Sequence, residues 1–217
     1  EKTACVIAET IQGEAGVIVP NIHYMQLLRK KCSENRALLI LDEVQTGIGR
    51  TGRMFGFEHF KITPDIITLA KGFGGGMPLG AFISSKEIMQ CLSVNPPLGH
   101  ITTFGGHPVC CAAALANLNV ILKNKLYYRA FEKEKIFRKL LKHPEIKIIR
   151  GKGLLLAAVL KDKKKCRQIV ANCLNEGLIT DWFLFAPNCL RIAPPLTITE
   201  QQIIVASNII IKTLNNK

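Results

Sequence analysis

Short, almost wholly apolar runs punctuate the first half of the chain. Ala4 to Ala8 ends in Glu9, Ala37 to Leu41 ends in Asp42, Ile66 to Leu69 stops two residues before Lys71, and Ala81 to Ser84 closes the set. Runs of this length, apolar on both faces, predict buried strands of a largely parallel sheet with a polar rim at their ends. Between the first two, Pro20 and Asn21 open a predicted helix over Tyr24 to Cys32, whose basic end Arg29 to Lys31 suits the helix dipole. A helix near Lys86 to Cys91 follows the fourth run. A loop with Pro96, Pro97 and Gly99 then leads to Val109 through Leu122, alanine-rich and apolar almost all round, which predicts a buried helix.

Downstream the pattern changes. A long basic helix is predicted over about Leu126 to Leu141, ended by His143-Pro144. Strands follow at Ile146 to Ile149 and Leu154 to Leu160, then a helix at Lys164 to Asn175, a short strand at Leu178 to Thr180 and a strand at Cys189 to Ile192. Thr199 and Gln202 form a capping box that opens a last helix to Leu214. The whole is an α/β pattern: residues 1–122 read as one sheet domain and 123–217 as a small α/β domain.

At 217 residues, 48% hydrophobic and a mean hydropathy of +0.20, the chain can bury one large core or two modest ones. Uninterrupted apolar runs fall short of the roughly 18 residues of a membrane span, and the opening EKTACVIAET lacks a signal-peptide layout. A soluble, cytoplasmic protein without membrane contact is expected. The eight cysteines include no CxxC pair and mostly sit within apolar runs, so reduced core thiols are expected and a metal site is not. The net charge of +13 is concentrated between Lys123 and Lys165. A solvated helix face is expected there rather than a nucleic-acid interface. The positive field also favours anionic cofactors and carboxylate substrates.

Asp42 and Lys71 change the picture. They lie 29 positions apart (71 − 42), close to the roughly 30 residues of one strand-connection-strand unit, so neighbouring strands would bring both to one sheet edge. A lysine amine kept partly unprotonated can form a Schiff base with an aldehyde cofactor. A carboxylate facing a pyridine nitrogen keeps that nitrogen protonated, so the ring can accept electrons. Together they describe pyridoxal phosphate chemistry, although the spacing alone suits a turn-capping Asp42 and a solvated Lys71 equally well. Gly47-Ile48-Gly49-Arg50-Thr51-Gly52 satisfies the dinucleotide-binding pattern G-x-G-x-x-G. It is rejected because it starts five residues beyond Asp42, leads into a poor helix start and has no acidic residue at the required distance.

The strings LDEVQTGIGRTG, TPDIITLAKGFGGGMPLGAF and TTFGGHPVCCAAALANL resemble the class III aminotransferases, the fold type I group that includes ornithine, acetylornithine and 4-aminobutyrate aminotransferases. The resemblance implies the C-terminal portion of such an enzyme: part of the large-domain parallel or mixed sheet, followed by the small domain. It makes Lys71 the lysine that binds pyridoxal 5'-phosphate and Asp42 the partner of the ring nitrogen. Gln45 would contact the ring hydroxyl, and Thr103 the phosphate of the neighbouring subunit in a homodimer. AETIQGE resembles the family's VEPIQGE, with Thr10 in place of proline, a departure expected to loosen the loop. Glu14 falls in the substrate pocket opposite Arg191, which lies in LRIAPPLTITEQQI where substrate carboxylate is bound; taken without the resemblance, Glu9 and Glu14 read as loop solvation and Arg191 as a surface residue. His107 replaces the usual asparagine and reads as a loop residue. An ω-amino acid or (acyl)diamino acid such as ornithine or acetylornithine is the expected donor and 2-oxoglutarate the acceptor. Two alternatives stand beside it: an aminomutase or racemase on the same scaffold, and a fragment inactive without the family's N-terminal half.

Overall fold

The computed structural model describes residues 3–215. Two compact units form. The first comprises 3–10, Pro20–Ile48 and Phe55–Asn124; the second comprises Ile11–Val19, Gly49–Met54 and 125–215. Two loop segments of the sequence-defined first domain, 11–19 and 49–54, thus pack with the second.

The first unit is built on a four-stranded sheet of β1 (Cys5–Glu9), β2 (Leu38–Asp42), β3 (Ile66–Leu69) and β4 (Ala81–Ser84), in that order. β1, β2 and β3 run parallel, and β4 pairs antiparallel with β3. β1 sits at one edge with Ile7 exposed, whereas β2 is central and its Leu39 and Leu41 are fully buried. Helix α1 (Ile22–Glu34) joins β1 to β2. Its N-cap is Asn21, whose side chain accepts from the His23 backbone N–H at 2.8 Å. Arg29 on α1 pairs with Asp65 at 2.6 Å, and Asp65 also accepts from the Leu39 backbone N–H, which fixes the start of β3 against β2. Helix α2 (Lys86–Val94) begins at Ser85, its N-cap.

Helix α3 (Pro108–Lys123) is apolar as expected, yet it buries only Cys110, Ala114 and Ile121. Val109, Leu115, Val120 and Leu122 are about half exposed. The expectation of a buried helix is corrected here: α3 packs against the glycine-rich loop after Lys71, while much of the rest of its apolar surface stays exposed.

The second unit has a sheet ordered β5 (Ile146–Lys152), β6 (Leu155–Leu160), β8 (Ala186–Ile192), β7 (Trp182–Phe183), antiparallel throughout. β6 is central and buried on both faces, as its unbroken apolar sequence requires. On one face Leu156, Ala158, Leu160, Leu190 and Ile192 form the core with Phe137 of α4 (Leu126–Leu140), Cys166 and Ile169 of α5 (Lys163–Asn175), and Ile203 and Ile210 of α6 (Glu200–Asn215). α6 opens on the expected reciprocal pair: Thr199 N–H donates to Gln202 Oε1 at 2.9 Å and Gln202 N–H to Thr199 Oγ1 at 3.2 Å. The strand expected at Leu178 to Thr180 is displaced to β7. Gly177 closes α5 in the left-handed region at φ +81°, and Thr180 then binds the Arg191 carbonyl with its hydroxyl at 2.7 Å rather than through a ladder.

Segment 49–54 is stitched to this unit by Arg50, whose Nη1 donates to the carbonyls of Leu154 at 3.1 Å and Pro194 at 2.5 Å, while its own carbonyl accepts from Leu154 N–H. The run Gly47 to Gly52 forms consecutive turns with no α-helix after it, unlike a dinucleotide-binding loop. No single helix among the described residues is long and apolar enough to cross a membrane.

Candidate active site

β2 and β3 are parallel neighbours in which Asp42 pairs with Thr68, so Asp42 and the residues just beyond Leu69 share the carboxyl edge of the first unit's sheet. Asp42 Oδ1 accepts from the Val44 backbone N–H at 2.8 Å, closing the turn after β2 and leaving Oδ2 without a protein donor among the described residues. Gln45 follows in the same turn. Lys71 opens a short 3-10 turn, Lys71–Gly74, and its backbone lies at φ +48°, a region that a residue with a Cβ seldom occupies. Its side chain is exposed and forms no ion pair among the described residues.

The turn is held from behind. Asn117 of α3 donates to the Gly72 carbonyl at 2.8 Å, and a Cβ on Gly75 would sit 2.7 Å from the Ala113 carbonyl, so glycine alone allows α3 this close. Strain of this kind persists where the surroundings over-determine it, and it marks functional positions. An unpaired amine and a carboxylate with a free oxygen at the ends of adjacent strands are the donor set that an aldehyde on a pyridine ring requires, so the residues fit pyridoxal phosphate.

Glu43, which the sequence pattern did not single out, directly follows Asp42 and is 1% exposed. Oε1 accepts from Thr10 Oγ1 and from Phe57 N–H, both at 2.8 Å; Oε2 accepts from Gly56 N–H at 2.9 Å and from Thr46 Oγ1. Burial pushes its carboxyl above the ordinary value, against the opposing pull of these four donors. The Glu43 carboxylate therefore joins the ends of β1 and β2 to the 55–57 turn. Thr10 is buried and bound to it, so the expectation of a loosened loop is corrected: the hydroxyl supplies a tie that proline cannot make. The one sequence signal was a second acid immediately after an apolar strand.

Thr103 lies exposed in the turn that precedes α3. Its neighbours Thr102, Gly105 and Gly106 line an open pocket of about 780 Å³ with Thr68, Phe82 and His100. His107 is the N-cap of α3 without a side-chain cap bond.

The other two predicted residues meet in the second unit. Glu14 stands on a tight turn in which Gly16 (φ +85°) and Val17 (φ +52°) are both left-handed, and Gly16 passes so close to the sheet that a Cβ would lie 2.7 Å from Arg150 Nη2. Arg191 on β8 donates from Nη2 to both Glu14 oxygens, at 2.8 and 2.9 Å. Its guanidinium carbon lies 4.3 Å from the centroid of the Phe183 ring. Arg191 is therefore no free surface residue.

The family model described as aminotransferase class-III matches residues 1–214. This chain belongs to the class III aminotransferases. Family members use pyridoxal 5'-phosphate. The chain is 42% identical over 208 residues to the acetylornithine aminotransferase of Caldanaerobacter subterraneus subsp. tengcongensis, covering 94% of this chain and 51% of that protein. Among solved structures it is similar to the acetylornithine aminotransferase of Elizabethkingia anophelis (TM-score 0.88, 38% identity, 96% of this chain and 53% of that one). It is equally similar to the ornithine aminotransferase of Toxoplasma gondii (TM-score 0.88, 35% identity, 96% and 50%), which has been crystallised with partial occupancy of pyridoxal phosphate at its active site. The chain spans about half the length of the relatives it matches.

Proposed function

We propose that this chain carries the lysine-bearing part of an aminotransferase that moves the amino group of ornithine, N-acetylornithine or a related ω-amino acid to 2-oxoglutarate. The observation that carries the reading is Lys71: an amine without an ion-pair partner among the described residues, held in a strained backbone position at the same sheet edge as Asp42. Pyridoxal phosphate, when bound, supplies an aldehyde for the amine and a pyridine ring that takes up the electron pair released at the substrate carbon. Lys71 Nζ would hold the aldehyde, and its amine would be the base that takes and returns the proton at the substrate carbon. Asp42 would face the ring nitrogen and keep the ring protonated. Gln45 would bind the ring hydroxyl, and Thr103 the phosphate across a homodimer interface. Arg191 takes the far carboxylate of the acceptor, and Glu14 neutralises Arg191 when a donor with a neutral or cationic far end occupies the site.

The similarity to acetylornithine and ornithine aminotransferases supports the donor class. Supplied with pyridoxal phosphate, 2-oxoglutarate and either donor, the protein is expected to release glutamate, and Lys71→Ala to abolish that release. Glutamate formation that survives Lys71→Ala would overturn the assignment.

A further inference from the structure

The pairing of Glu14 with Arg191 leaves most of the guanidinium unused. Only Nη2 reaches the carboxylate, whereas a carboxylate ligand approaching a guanidinium can engage two nitrogens at once. Arg191 Nε is buried without a hydrogen-bond partner. A ligand carboxylate that takes the fork in bidentate fashion therefore has an advantage over Glu14, provided both groups stay in place when they part.

The β7–β8 hairpin is built to keep them there. Phe183 is fully buried, so its ring cannot follow a moving guanidinium, and it stacks on Arg191 at 4.3 Å. The backbone of Arg191 is fixed on both sides, its N–H donating to the Asp181 carbonyl at 2.8 Å and its carbonyl accepting from Thr180 Oγ1 at 2.7 Å. On the other partner, Leu184 N–H donates to Glu14 Oε2 at 3.1 Å and Phe185 N–H to the Glu14 carbonyl at 3.1 Å. Each partner thus has a contact on the hairpin that does not depend on the other.

We propose that Phe183 and the Leu184 backbone N–H are the positioning elements of this pair, the ring retaining Arg191 and the N–H retaining Glu14, so that a dicarboxylate opens the pair without either group swinging into bulk water. Phe183 is then a positioning residue for the acceptor carboxylate. The inference rests on the reading of Arg191 as the carboxylate-binding residue given above.

The test uses the full chain, labelled with 15N, and glutarate as the probe. In the wild type the Arg191 Nε–Hε signal carries an upfield ring-current shift from Phe183. Glu14→Gln keeps that shift and Arg191→Gln leaves the Leu184 amide protected from exchange, because each contact is independent of the pair. Loss of the shift in the first variant or of protection in the second overturns the proposal. Phe183→Leu removes the shift and weakens glutarate binding about fivefold, the scale of a cation–π contact, and Phe183→Tyr restores both. Undiminished glutarate affinity in a folded Phe183→Leu protein overturns the role of the ring. Absence of any Arg191 response to glutarate in the wild type overturns the carboxylate reading and this inference with it. That outcome is distinct from failure of the hairpin alone, in which wild type and Phe183→Leu respond to glutarate equally.

Discussion

Glu43 shows how much one buried side chain can organise. Its four donors come from three segments; two are backbone N–H groups, and the other two, the hydroxyls of Thr10 and Thr46, can be removed without touching the backbone. Thr10→Val leaves a buried carboxylate short of one charge-assisted bond, and a loss of about 1.5–3 kcal/mol in denaturant unfolding is expected, with Thr10→Ser retaining most of it. The same carboxyl gives a pH signature. Burial raises its folded value above the ordinary 4.5, so the native state holds this proton more tightly than the unfolded chain does. Its contribution to stability is therefore full below pH 4.5 and is lost as pH rises through the raised value. The stability difference between wild type and Glu43→Gln should fall with increasing pH above 4.5, and a flat difference would contradict the assignment. The thiols divide equally clearly. Cys5, Cys91 and Cys111 are exposed, while Cys166 is fully buried and pushed up to about 12, first by burial and then by neighbouring Cys189 and Asp181. Alkylation of the native protein at neutral pH should label those three and spare Cys166; rapid labelling of Cys166 would show that the second unit's core opens readily.

At the scale of elements, the loops carry what the strands only position. Segment 49–54 belongs to the second unit because Arg50 is half-buried there, with two main-chain carbonyls and, among the described residues, no carboxylate as its side-chain partners, and desolvation lowers its affinity for a proton. Arg50→Met should leave those carbonyls without a donor and cost about 1–3 kcal/mol each way it is measured, by heat or by urea. Nothing in GIGRTG announced this role, because a pattern shared with nucleotide-binding loops says nothing of which core a loop will join. The strands were legible: β2, β3 and the central β6 are unbroken apolar runs, and their ends delivered Asp42 and the turn of Lys71 to one edge. β7 was not, because its two residues are set by Gly177 and by the Thr180 hydroxyl rather than by any alternation. Glu14 and Arg191 lie 177 positions apart, and only resemblance linked them before the fold did. Phe183, which stacks on that arginine, left no trace beyond an aromatic in an apolar hairpin.

At the scale of the whole molecule, family membership and the two sheets agree with the sequence pattern, while the buried surface does not match its apolar content. α3 was read as a core helix from composition, which is blind to what each face of the helix packs against. The chain accounts for about half the length of its relatives, and it nevertheless contains the lysine, the ring-facing aspartate and the carboxylate-binding arginine proposed here. The central claim is that Lys71 is the cofactor lysine. Its most direct test is borohydride reduction of the protein mixed with pyridoxal phosphate, followed by peptide mapping against Lys71→Ala. A reduced pyridoxyl group concentrated on Lys71, and absent from the variant's map, is the predicted result. Label spread over the exposed lysines without preference for Lys71 would contradict the account.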